Sequence, residues 1–266
     1  MKYFFFYIFS LLLLIGCRPD AEKFEIPALI NSQYNDTLDQ VDFKAKILTG
    51  VFPEFVGKYN FTKNLDINPS NRDSTFWNDF IDDYRSVSIG DSVDVNGFEL
   101  IVDYKTTIYY NRYVSYGHSK TLLSYYPVYF VNSTNSDKIF LGKDSYTFGI
   151  QEARLNEKYS DWHPIESRGY DFCGNGTFGI IVKPNEFVLI LMKKYTGTYK
   201  APMRVRFKQN ESIYVSKPFY GFIDTAQFTI EDSSYVQDEL RKNYGKAVSR
   251  LFYGAEPDEK EWLKNN

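Results

Sequence analysis

His163, Glu166 and Cys173 lie close together in a chain of 266 residues; each can ligate zinc, and the first two can also move a proton. Their setting argues against a metal site, because Trp162-His163-Pro164 reads as a turn entering a strand and supplies no second ligand at helical or strand spacing. His118 is the other histidine, and neither a His-Glu-x-x-His helix nor a Gly-x-Ser-x-Gly elbow occurs. Ser92-x-Asp94-x-Asn96-Gly97 with Asp103 twelfth approaches a calcium loop, which would want Asp first, Glu last and flanking helices. The same residues read better as a hairpin, with Ser92–Val95 and Phe98–Tyr104 joined by an Asn-Gly turn of type I′. Carboxylate pairs such as Asp82 with Asp83, or Glu152 with Glu157, are the type a glycosidase uses at about 5 to 9 Å, but acids at this density usually line a solvated face. No catalytic residue, metal ligand or cofactor motif follows from this.

Two surface patterns point to binding instead. In Met203-Arg204-Val205-Arg206-Phe207-Lys208 apolar and basic residues alternate, so a strand places Arg204, Arg206 and Lys208 in a row on one face. Such a row is ordinarily the wet side of a sheet, and in a functional version it is a ledge for an acidic polysaccharide or protein. Tyrosines cluster at Tyr109, Tyr110, Tyr113 and Tyr116, then at Tyr125, Tyr126 and Tyr129. Strand periodicity buries some and exposes others, and exposed planar rings stack on sugars or anchor protein contacts. Tyr109, Tyr113, Arg204, Arg206 and Lys208 therefore form the candidate binding surface.

The N-terminus carries the address. Met1-Lys2 precedes an apolar run, Tyr3 to Ile15, which is shorter than the ~20 residues that span a bilayer and ends in small residues, as a cleaved secretory signal does. The tetrad Leu14-Ile15-Gly16-Cys17 resembles the lipobox of bacterial lipoproteins. That resemblance implies cleavage before Cys17 and lipidation of its thiol, so that the mature chain stays on a membrane without spanning it. Residues 18–266 hold no second apolar run of bilayer length. With Cys17 lipidated, Cys173 has no intrachain disulfide partner, and burial suits it best.

With 43% hydrophobic and 24% charged residues the chain has the composition of a folded body, and a net charge of −3 favours no nucleic-acid partner. Residues 1–16 read as signal peptide, 17–46 as a polar tether, 47–118 as a β-rich N-terminal part, 119–230 as a β-sandwich-like part and 231–266 as a helical segment. Expected strands include Thr106–Tyr116, Pro127–Val131, Lys138–Leu141, Tyr146–Ala153, Thr177–Val182, Phe187–Lys194, Tyr199–Phe207 and Ser212–Val215. Ser233-Ser234 can cap a helix carrying Val236, Leu240, Val248 and Leu251, and a short helical stretch is possible around Phe76–Ile81. The expected fold is mainly β: an antiparallel, Ig-like sandwich with a C-terminal α-helix.

Within 120–230, Pro127-Val-Tyr-Phe-Val-Asn132, Trp162-His-Pro-Ile-Glu166, Phe172-Cys-Gly-Asn-Gly176 and Pro184-Asn-Glu186 resemble segments of uncharacterised lipoproteins of the Bacteroidota, which strengthens the envelope reading and brings no functional residue. The expected role is a lipid-anchored envelope module that binds protein or glycan without catalysis. A secreted hydrolase of glycan or peptide and a structural subunit of an envelope assembly are the alternatives.

Overall fold

The computed structural model describes residues 23–30, 48–67, 80–81, 94–113, 120–143, 146–155, 161–169 and 176–257. Strands run in chain order as β1 (Ala28–Ile30), β2 (Leu48–Val51), β3 (Glu54–Asn60), β4 (Asn64–Asp66), β5 (Phe80–Ile81) and β6 (Glu99–Val102). Next come β7 (Ile108–Tyr113), β8 (Lys120–Asn132), β9 (Lys138–Lys143), β10 (Gly149–Ala153), β11 (His163–Pro164) and β12 (Glu166–Arg168). Then follow β13 (Thr177–Val182), β14 (Glu186–Lys193), β15 (Tyr199–Gln209), β16 (Ser212–Val215) and β17 (Phe219–Ile223), and finally helices α1 (Tyr235–Lys242) and α2 (Tyr244–Leu251). The fold is mainly β with antiparallel sheets, as expected; β1 with β4 and β2 with β12 pair in parallel.

The first layer is the sheet β3-β14-β8-β6, with β7 also paired to β8. β14 and residues 125–131 of β8 read as near-continuous apolar runs because both of their faces are buried. Tyr126, Val128 and Phe130 of β8, with Val188, Ile190 and Met192 of β14, face one core, whereas Tyr125, Tyr129 and Val131, with Phe187, Leu189 and Leu191, face another. Pro127 lies inside β8 where β6 has ended and β7 has not begun; its carbonyl accepts from Asp103 N, and the N–H that it lacks would face that same gap rather than β14.

The second layer holds the sheet β11-β10-β15-β16, with β17 also on β15, and beside it β5-β13-β9. Val205 and Phe207 of β15 meet Phe140 of β9 and the first layer in the main core. The Gln209 side chain joins the two sheets, accepting from Leu141 N and donating to Leu141 O. Gly197 lets the chain pass against β17, since a Cβ there would sit 1.8 Å from the Ile223 carbonyl carbon.

Four expectations change. Gly97 has a φ of 90° but Asn96 is not left-handed, so the type I′ hairpin does not form. β6 pairs with β8, where Leu100 and Ile101 find packing partners, and Asp94 bridges to Lys138 instead. Phe80–Ile81 is a strand on β13 rather than the end of a helix; residues 76–79 lie outside the described residues. Part of the expected tether, residues 23–30, is folded onto the body through β1 and through Phe24, whose ring meets Phe61, Tyr129 and Phe187. Residues 31–46 lie outside the described residues.

The fourth change concerns the C-terminal helix, which is two helices. Ser234 Oγ caps α1 by accepting from Gln237 N, while Asn243, at φ −162° and ψ 95°, ends α1 and caps α2 by accepting from Lys246 N. The break lets both helices turn their apolar sides, including Val236, Leu240, Val248 and Leu251, toward Ile150 of β10.

Candidate functional site

Strand β15 sorts its side chains by parity. Ala201, Met203, Val205 and Phe207 point into the body, so Lys200, Pro202, Arg204, Arg206 and Lys208 lie on the outer face. Directly paired antiparallel residues share a face. The register therefore sets Phe222 beside Lys200, Tyr220 beside Pro202, Val215 beside Arg206 and Ile213 beside Lys208. On the opposite edge Glu152 pairs with Arg204 and Ile150 with Arg206.

The three expected cations thus share one face, and the structure gives each a carboxylate. Arg204 donates from Nε to Glu152 Oε2 at 2.7 Å and from Nη2 to Oε1 at 3.1 Å; Arg206 Nη2 donates to the same Oε1 at 3.3 Å. Glu152 is buried, and two guanidinium groups offset its loss of water. Arg204 also lies 4.4 Å from the Trp162 ring centroid, as Arg154 does at 4.5 Å. Lys208 is 3.9 Å from the exposed Glu211. Arg204 and Arg206 are therefore a clamp at the middle of the face, with side chains 20% and 16% exposed.

This clamp divides the face in two. On the β10 side α1 and α2 cover Ile150. On the β16 and β17 side Ile213 is 42% exposed, Val215 40%, Tyr220 55% and Phe222 49%. Lys200 Nζ stands 5.2 Å from the Tyr220 ring centroid, and Lys217 is exposed between the two strands. Beyond this face, the edge N–H of Phe222 donates to the Tyr104 hydroxyl, and the side chains of β16 reach to the chain before β6, Ser212 Oγ to Asn96 and the Tyr214 hydroxyl to Val95 O.

The four exposed apolar residues escape a reading of the sequence alone. Ser212-Ile-Tyr-Val215 and Phe219-Tyr-Gly-Phe222 carry apolar or aromatic groups at both parities, so period two does not say which side is wet. Tyr109, on β7, is half-buried and belongs to the first layer, away from the β15 row by sheet. Tyr113 lies opposite Lys120 on β8, and its side chain is outside the described residues. Tyr125, Tyr126 and Tyr129 are core residues.

The remaining reactive types serve local structure. His163 Nδ1 lies 3.1 Å from the Glu256 carbonyl oxygen, tying β11 to the chain beyond α2. Asp94 accepts from Asn96 N and pairs with Lys138 at 3.4 Å, while Asp103 accepts from Lys105 N and Thr106 N. Glu166 accepts from Gln151 N, Gln151 Nε2 and the Tyr195 hydroxyl, and Tyr126 donates to Gln151 Oε1, so one buried network joins β12, β10 and β8. Burial pushes the Glu166 carboxyl up to about 7, against the lowering effect of these hydrogen bonds and of Lys193. Among the described residues no group of three or more His, Cys, Asp or Glu is placed to hold a metal. Cys17, Cys173, His118, Asp82, Asp83, Ser92, Tyr116 and Glu157 lie outside the described residues. Compared with models of protein families, with curated proteins and with solved structures, the chain finds no match.

Proposed function

We propose that this chain is a lipid-anchored lipoprotein of the bacterial cell envelope, held on the outer membrane through lipid on Cys17, and that it works by binding rather than by catalysis. The observation that carries the binding reading is the bare half of the outer face: Ile213 and Val215 on β16 and Tyr220 and Phe222 on β17, exposed in one row along β15 and edged by Lys200, Lys208 and Lys217. Exposed apolar groups concentrated in this way mark interaction sites. The occupant we assign is another envelope protein whose flat apolar surface is ringed by carboxylates. A second copy of this chain fits less well, because packing the face on itself brings Lys200 and Lys208 toward their own counterparts. Pairing at an open strand edge, as in a structural assembly subunit, has less support on β17, where the Tyr104 hydroxyl already takes the edge N–H of Phe222. A hydrolase needs two convergent free acids or His163 beside one; Glu152 is clamped by two arginines and His163 faces a carbonyl.

The test is photo-crosslinking in cells from positions 213 and 222, with position 246 on α2 as control. The binding reading expects a discrete protein adduct from the first two alone; equal labelling at all three, or none, sinks it. Cys17→Ala in the same cells should release the chain to the soluble fraction, and retention at the membrane would refute the anchor. Adducts with glycan in place of protein would overturn the assigned occupant.

A further inference from the structure

A second candidate site lies away from the bare face, where β12 meets the helix pair. A cavity of about 370 Å³ is lined by Arg168 and Gly169 at the end of β12, by Tyr235, Glu239 and Lys242 of α1, and by Arg250 and Leu251 of α2. That volume is in the range of small-ligand sites and far exceeds the ~30 Å³ share of one water molecule, so it suits something larger than a bare oxyanion.

Its charge is unbalanced. Glu239 serves two cations at once, Lys242 at 3.2 Å and Arg250 at 3.0 Å. One positive charge is in excess between these three residues, which line the cavity together. A net excess of positive charge at a cleft raises the local concentration of anions. The Lys242 side chain is 70% exposed, so its ammonium turns from Glu239 to a ligand at little cost. Buried Leu251 gives the cavity an apolar wall, and the Tyr235 hydroxyl, bonded to Arg250, gives it a polar one.

We infer that this cavity binds a small anionic ligand of monosaccharide size, a sugar bearing one carboxylate or phosphate, through Lys242 and Arg250. The anionic group bridges Lys242 and Arg250, and the sugar hydroxyls meet Tyr235. The inference is independent of the docking face, so either can fail alone.

Calorimetric titration of the full chain in detergent tests it, with glucuronate and glucose 6-phosphate as probes and glucose and inorganic phosphate as controls. The two anionic sugars should bind while glucose does not. Lys242→Gln and Arg250→Gln should each weaken binding roughly tenfold, the worth of one charge-assisted hydrogen bond. Glu239→Gln should tighten it, because a competing carboxylate is removed; a merely unfolded variant cannot produce that result. Absence of binding by both sugars at millimolar concentration, or affinities unmoved in Lys242→Gln and Arg250→Gln, would overturn the site. Inorganic phosphate binding as well as glucose 6-phosphate would overturn the sugar assignment.

Discussion

The two halves of the outer face of β15 share one strand and differ in what lies over them. On the β10 side the sheet presents Ile150, and two amphipathic helices, each with its own N-cap, have been placed to cover it. On the β16 and β17 side the sheet presents larger apolar groups, among them Tyr220 and Phe222, and none of these is in the buried core. Burial is favourable at ~25 cal/mol per Å², so a fold that covers the smaller patch and leaves the larger one open forgoes stability that its own architecture could supply. Between the halves the clamp of Glu152, Arg204 and Arg206 marks the boundary. The difference separates residues that hold the fold from residues that the proposed function leaves for a partner.

The sharpest way to break this comparison is at the boundary. Glu152→Ala leaves two part-buried guanidinium groups without their shared carboxylate and should cost about 3 to 5 kcal/mol in urea unfolding. A loss below about 1 kcal/mol would mean that the clamp is only a surface pair. Leu251→Ala, on the covered half, should cost about 2 to 5 kcal/mol through the cavity it opens against Ile150.

Glu166 sharpens the contrast with Glu152, because it is a buried carboxylate held by neutral donors where Glu152 has two arginines. Its folded state holds the proton more tightly than the unfolded chain does, with an acid constant near 7 against the ordinary 4.5. The stabilisation is thus complete below about 4.5 and is lost as pH rises through about 7, a span worth roughly 3 kcal/mol. Glu166→Gln should flatten unfolding free energy against pH across that window, and an unchanged slope would assign the titration elsewhere. The smallest effect belongs to the bare half: Phe222→Ser should shift stability by less than about 0.5 kcal/mol while abolishing the crosslink from position 213. A loss as large as that of Leu251→Ala would show that Phe222 serves the core.

Much of the scaffold was legible from local chemistry. The parity of β15 followed from Met203 to Lys208, the strands β13 and β16 match their expected ranges, and Ser234 caps the first helix as its side chain allows. The misses are instructive because each is a contest between local and distant partners. Asn96-Gly97 has strong turn chemistry, yet the following residues gain more by pairing with β8, so the hairpin loses. The helix break at Asn243 needs both caps and the position of β10 to make sense, and the helical periodicity runs through it without a visible interruption.

Residue type and spacing over a few neighbours were enough to give the β class, the helical segment at the C-terminus and the cations that share a face. Only the tertiary structure decided that Arg204 and Arg206 spend their charge on Glu152, that Glu166 is cut off from water, that Lys242 and Arg250 converge on one cavity, and that Ile213, Val215, Tyr220 and Phe222 remain outside. The physical reason is register. Which residues meet across strands, and which of two apolar parities faces water, is set by pairing between segments tens of residues apart, and no local period encodes it.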